Sequence, residues 1–138
     1  MSGQLAAALA AEEAAIYAYG LIGVHLAAAD VTEARTAEQV HRTRRDAAVS
    51  RLAALNASTA PPPAAYRLPF PVTGAASALK LAIHVEDGVA AAWRAVLPAS
   101  EGGDRTTALA ALTDAAVRAT RWRRRAGVTP VTLPFPGR

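Results

Sequence analysis

From about Gln4 to Ala28 the apolar positions return at steps of four and three. Leu5, Leu9, Ile16, Tyr19, Gly23 and Leu26 trace one stripe, and Glu12 occupies the step between Leu9 and Ile16. That spacing predicts a helix packed along a seam. Asp30 followed by Glu33 reads as a capping box opening a second helix that runs to about Leu55, with Glu38, His41, Ala48, Leu52 and Leu55 on its stripe. So short a link predicts an antiparallel hairpin. A third helix is expected over 74–97, begun by a Thr73 cap, carrying Leu79, Ala82, Glu86, Val89 and Trp93 on one face, and stopped by Pro98. A fourth is expected over 104–126, capped by Asp104, with Leu109, Leu112, Ala116 and Ala119 inward, and ended by Gly127.

Between the second and third helices, Asn56 to Val72 holds Pro61 to Pro63 and closes on Leu68-Pro69-Phe70-Pro71. Such a stretch cannot be helical and reads as an extended crossover long enough to run from one end of a bundle to the other. The tail, Val128 to Arg138, is again proline-rich and is expected to lie on the bundle surface. The expected fold is therefore all-α: one domain over residues 1–138, an antiparallel four-helix bundle with a long crossover. Two short sequences recur, Leu-Pro-Phe-Pro at 68 and 133 and Asp-Ala-Ala-Val at 46 and 114, as a doubled helical hairpin would leave them. Glu12-Glu13 and Glu86-Asp87 are a third echo, each mid-helix with an aromatic seven residues beyond its first member.

Composition sharpens this picture. Hydrophobic residues make up 52% of the 138, yet only 5% are aromatic and much of the rest is alanine, so burial must come from close helix approach rather than large side chains. With no cysteine, disulfides, thiolate ligands and cysteine nucleophiles are excluded. The first basic residue is Arg35, and Glu12, Glu13 and His25 interrupt the apolar N-terminal stretch. Neither a signal peptide nor a membrane span is expected, and a cytoplasmic location follows. The net charge of +4 comes from arginine clusters. In the run Arg121, Arg123, Arg124 and Arg125 around Trp122, the plain reading is cations at a helix C-terminus, and a nucleic-acid surface is the weaker one.

The chemistry lies on the seams. Glu12 and Glu86 both point inward by register, and a buried carboxylate requires a cation, a metal, a hydrogen-bond network or a raised pKa. The second helix offers Glu38 and His41, a Glu-x-x-His pair. One Glu from each of two helices, with Glu-x-x-His on the others, is how ferritin-like bundles hold two iron or manganese ions. The fourth helix has no histidine, and with Asp-Ala-Ala-Val as a ruler the counterparts of Glu38 and His41 are Thr106 and Leu109. A full dinuclear site cannot be assembled, although Asp114 could stand in for one missing ligand.

These residues resemble the ferritin-like superfamily. The segments EEAAIYAYG (12–20), HRTRRD (41–46), YRLPFPV (66–72), Glu86 to Trp93 and TDAAVRATRW (113–122) resemble, more narrowly, an uncharacterised family of actinobacterial ferritin-like domains. The resemblance implies a bundle of one-crossover topology with no established activity. In such relatives a histidine often follows the first seam glutamate, where this chain has Glu13.

Against the metal set Glu12, Glu38, His41, Glu86 and Asp114 stands an ionic alternative: a buried network of Glu12, Tyr17, His41, Arg45, Glu86 and Arg118, in which arginine holds the carboxylates in bidentate geometry. His25 and His84 read as structural or surface residues, Trp93 and Trp122 as core fillers, and Asp114 with Arg118 as an i, i+4 pair. Gly20 and Gly23 mark close helix approach or a dimer contact. The expectation is a structural or interaction domain with a degenerate metal site, a homodimer without membrane or nucleic-acid partners. Its alternative is an iron- or manganese-dependent redox or storage protein.

Overall fold

The computed structural model describes residues 1–138. It is all-helical: α1 (Ser2–His25), α2 (Ala28–Ala54), α3 (Ala75–Val96) and α4 (Gly102–Ala126), with a single 3-10 turn at Leu97–Ala99 where Pro98 ends α3. No strand is present, and the arrangement is consistent with a four-helix bundle. α1 packs on α2 and on α3, and α3 packs on α4. α2 and α4 are joined mainly by long side chains: Arg44 to Asp114, Arg51 to Asp104, and Arg125 to Asp30 and Glu33.

Alanine dictates the packing. Of the buried apolar residues, Ala8, Ala15, Ala34, Ala37, Ala48, Ala78, Ala82, Ala108, Ala111, Ala115 and Ala119 let the helices approach, while Leu5, Leu9, Ile22, Leu52, Leu81, Trp93, Val96 and Trp122 supply bulk. The core divides in two. Near one end lie Leu5, Leu9, Leu52, Trp93, Val96 and Ala108, and near the other Ile22, Ala34, Ala78, Leu81 and Trp122. Between the halves, each helix sends one buried polar side chain inward: Glu12, His41, Glu86 and Arg118.

Several local expectations are corrected. α1 ends at His25, whose Nδ1 meets the Leu21 carbonyl at 3.0 Å. α2 begins at Ala28 behind an extended Ala27 with no side-chain cap, because Asp30 and Glu33 are both drawn to Arg125. Asp104 likewise binds Arg51 instead of capping α4. At the start of α3 the capping oxygen is Ser77 Oγ, which accepts from the Thr73 and Gly74 amides at 2.9 and 3.2 Å. In α4, Ala119 is buried as expected, but the rest of the inward face is Ala108, Ala111, Ala115, Arg118 and Trp122, and Leu109 is 54% exposed. With alanine at so many inward positions, hydrophobic spacing alone favoured the larger but outward Leu109. Gly127 does end α4, in the left-handed conformation (φ 69°) that glycine adopts without strain.

The two Leu-Pro-Phe-Pro segments both lie against α3. Phe70 meets His84 edge-on beneath Lys80, and the Pro136 carbonyl accepts from Arg94 at 3.1 Å. By length and composition α1 is apolar enough to cross a membrane. Here its Leu5–Ile22 stripe is buried against neighbouring helices and carries the charged Glu12 at its middle.

Candidate functional site: a buried histidine between two glutamates

The polar layer at the centre is held by four helices at once. His41 comes from α2, and its two ring nitrogens meet different helices: Nδ1 lies 2.5 Å from Glu12 Oε2 on α1, and Nε2 lies 2.6 Å from Glu86 Oε1 on α3. All three side chains are fully buried. Both ring nitrogens face carboxyl oxygens, and between two ionised glutamates both nitrogens donate and the ring is an imidazolium. Burial pushes the His41 pKa down. The hydrogen bonds to Glu12 and Glu86, reinforced by their charges, outweigh that and push it up to about 9.

Each glutamate has further donors. Glu12 Oε1 accepts from Trp93 Nε1 at 2.7 Å, and Glu86 Oε1 accepts from Tyr19 Oη at 3.2 Å and Arg118 Nη1 at 3.3 Å. The Tyr19 oxygen in turn accepts from Trp122 Nε1 at 2.8 Å, and the Tyr19 ring stacks on His41 with centroids 5.6 Å apart. Burial first, and then the Glu86 charge, holds the Tyr19 hydroxyl well above its ordinary pKa, so it remains a donor. Arg118 is anchored by Asp114 at 2.8 Å, and Arg44 reaches the same carboxylate at 3.0 Å. Despite partial burial, the charges of Arg118 and Arg44 hold Asp114 below the usual carboxylate range. Two cations, His41 and Arg118, thus face Glu12 and Glu86, and the layer is electrically balanced. One buried oxygen, Glu86 Oε2, has no protein partner.

Sequence reading and structure part at several residues. Glu38 turns away from the seam to the α2 surface, where it accepts from Arg42 Nε at 3.3 Å, because His41 takes the inward position one turn later. Arg45 pairs with its exposed neighbour Asp46, and Arg44 is the residue that reaches α4. Tyr17 is 40% exposed and packs on Tyr66, so the tyrosine in the network is Tyr19. Asp114 touches Arg118 and not the glutamates. Trp93 and Trp122, expected as fillers, are buried donors. The requirement that a buried indole N–H find an acceptor was the signal available for them. In the arginine run, Arg123 is buried against Asp87, and Arg125 grips Asp30 and Glu33 while lying over the Trp122 ring. Arg121 and Arg124 are exposed at the surface.

The residues do not fit a metal ion. A metal would need Glu12, Glu86 and a histidine nitrogen to converge on one point, whereas the glutamates meet opposite edges of the His41 ring, Glu12 at Nδ1 and Glu86 at Nε2. Glu38 and Asp114 are turned to other partners, and no cluster of three carboxylate or histidine side chains has ligand geometry. What the arrangement can do chemically is store a proton and a fixed charge in the core.

Tyr19→Phe tests how tightly the layer is closed. It leaves the Trp122 indole without an acceptor and Glu86 short of one donor. An expected loss of about 1–3 kcal/mol in urea unfolding follows from stranding a buried donor.

A crystal structure of a conserved hypothetical protein from Mycobacterium tuberculosis superposes with a TM-score of 0.86 at 40% identity, covering 89% of this chain and 94% of that one. No curated protein matches. Residues 4–138, nearly the whole chain, match the profile of the family described as Domain of unknown function (DUF4439), and the chain belongs to that family.

Proposed function

We propose that this protein is a ferritin-like domain, one over residues 1–138, whose metal layer has been replaced by an internal ion network, and that it works as a structural or interaction module rather than as a metalloenzyme. The topology in this reading is antiparallel with a single crossover. Leu5 shares a wall with Ala48 and Arg51 while Gly20 lies by Glu38, as antiparallel α1 and α2 require. Leu52 and Val96 sit in one core half, and Ala34 and Ala78 in the other, which supports residues 55–74 crossing from end to end.

The observation that carries the proposal is His41 between Glu12 and Glu86. An imidazolium supplies the positive charge that two buried carboxylates need, and it does so within hydrogen-bond distance of both. Elemental analysis of protein purified without a histidine tag and titration with Fe(II) and Mn(II) test it. Substoichiometric metal is expected, with uptake scarcely changed by His41→Ala. One or more equivalents of bound iron or manganese, lost on Glu12→Gln or Glu86→Gln, would overturn the proposal and restore the redox or storage alternative, for which the unpartnered Glu86 Oε2 is the one available oxygen. A cytoplasmic location and a homodimer belong to the same reading. Leu109 and Val117 on the outer face of α4 are apolar surface suited to a second copy, and light scattering measures the oligomer.

A further inference from the structure

The side of the molecule between α2 and α4 is built as a ladder. Arg44 and Arg51 are two rungs on α2, seven residues and so roughly 10 Å apart along the axis, and they reach Asp114 and Asp104 on α4. Between the rungs the facing side chains are small: Ala47 and Ala48 on α2, Thr107 on α4. They leave a cavity of about 140 Å³ floored by Leu5, Trp93 and Val96 and bounded at its mouth by the two arginines, Asp104 and Thr107.

Three features define what would occupy it. The volume is close to the roughly 150 Å³ of apolar cavities known to take a benzene ring. The walls are mainly hydrocarbon with an indole, so the buried part of a ligand must be apolar. The mouth carries two arginines, each paired with one aspartate, Arg51 with Asp104 and Arg44 with Asp114. Arg51 is committed to Asp104 through Nε and Nη2, but Arg44 contacts Asp114 and the Ala111 carbonyl through Nη1 alone. Its Nε and Nη2 donors have no protein acceptor, and the side chain is 21% exposed. A guanidinium with parallel free donors is suited to a carboxylate.

We infer that this cavity is a binding site for a small aromatic monocarboxylate, its ring lying on Leu5, Trp93 and Val96 and its carboxylate on Arg44. The floor connects the site to the buried layer, because the Trp93 indole that faces the cavity donates to Glu12, which holds His41. Occupancy therefore reports on the Trp93 indole proton. The inference does not rest on the metal-free reading: Trp93 is shared between the cavity and the layer, but Arg44, which would hold the carboxylate, touches none of Glu12, His41 and Glu86.

Benzoate titrated into the intact, ¹⁵N-labelled protein is the test. Saturable movement of the Trp93 indole N–H resonance is expected, with half-saturation at or below about 1 mM and the Trp122 resonance unmoved. Arg44→Met should weaken benzoate at least tenfold while leaving benzyl alcohol, the neutral analogue, within about twofold, a difference that corresponds to loss of a charge-assisted contact. Ala48→Phe, which fills the cavity, should abolish both. Arg44→Met carries the test alone if the filled variant fails to fold. A Trp93 resonance that stays still to about 10 mM benzoate, or an affinity unchanged by Arg44→Met, would overturn the inference.

Discussion

Replacing His41 by alanine should destabilise the protein by about 3–5 kcal/mol at pH 7, the usual effect of removing one partner from a buried ion pair, lowering the melting temperature by roughly 10 °C or more. The reason is charge rather than volume. Without the imidazolium, Glu12 keeps only the Trp93 indole, and Glu86 keeps Tyr19 and the Arg118 contact at 3.3 Å. Two fully buried carboxylates then lack the cation between them, and one must take up a proton to remain inside. The variant should therefore recover stability relative to wild type as the pH falls toward 5, the opposite of an ordinary cavity mutant. Adding Glu12→Gln should make the His41→Ala loss smaller than in the wild-type background, because the two residues interact directly. Urea unfolding of the four proteins of this cycle decides the matter. A His41→Ala loss below about 1 kcal/mol, the scale of a surface pair, would show that the layer holds no charge.

The second large effect is on the alkaline side. The folded pKa of His41 is about 9, against an ordinary value near 6.5. A base whose pKa rises on folding stabilises the folded state fully below its unfolded pKa, and that stabilisation is lost as pH climbs through the folded value. The window is thus pH 6.5 to 9, and the stability at stake is about 3 kcal/mol. The groups facing the ring are Glu12 and Tyr19 from α1, Glu86 from α3, and Arg118, which reaches Glu86 from α4. Tyr19 also titrates above its ordinary value, so its own loss has the same sign but begins only near pH 10. Unfolding free energies measured from pH 6 to 9.5 should fall steadily for wild type and stay flatter for His41→Gln. A flat wild-type profile over that range would mean the ring is neutral in the folded protein.

Much of the site was legible from spacing. Glu12 and Glu86 fall on heptad stripes, and a carboxylate on such a stripe is inside whatever holds it there. His41 falls on the stripe of α2 for the same reason. Which partners they found was not legible, and the misreadings share a cause. Glu38 and His41 were expected to converge because they are three residues apart, but i, i+3 neighbours share a face only approximately, and Glu38 stays half-buried beside Gly20 of α1, paired with Arg42. Arg45 was preferred to Arg44 for the interior, although the residue reaching α4 is set by the phase of α2 against α4. In α4 the inward face is alanine, so its phase could not be read from hydrophobicity, and Leu109 took a place that belongs to Ala108.

By itself, the sequence determined the helices, the interruptions that separate them, the absence of thiol chemistry and the inward direction of Glu12, His41 and Glu86. Those are local properties, fixed by the 3.6-residue period, by proline and glycine, and by composition. Only the tertiary structure decided that the three residues form one line with His41 in the middle, that α4 contributes a guanidinium in place of a ligand, and that two indoles close the ends of the network. Partner choice depends on helix phase and interhelical distance, which arise from all four helices packing together. The same carboxylates on the same stripes could have faced a metal, and what they face is the imidazolium of their own chain.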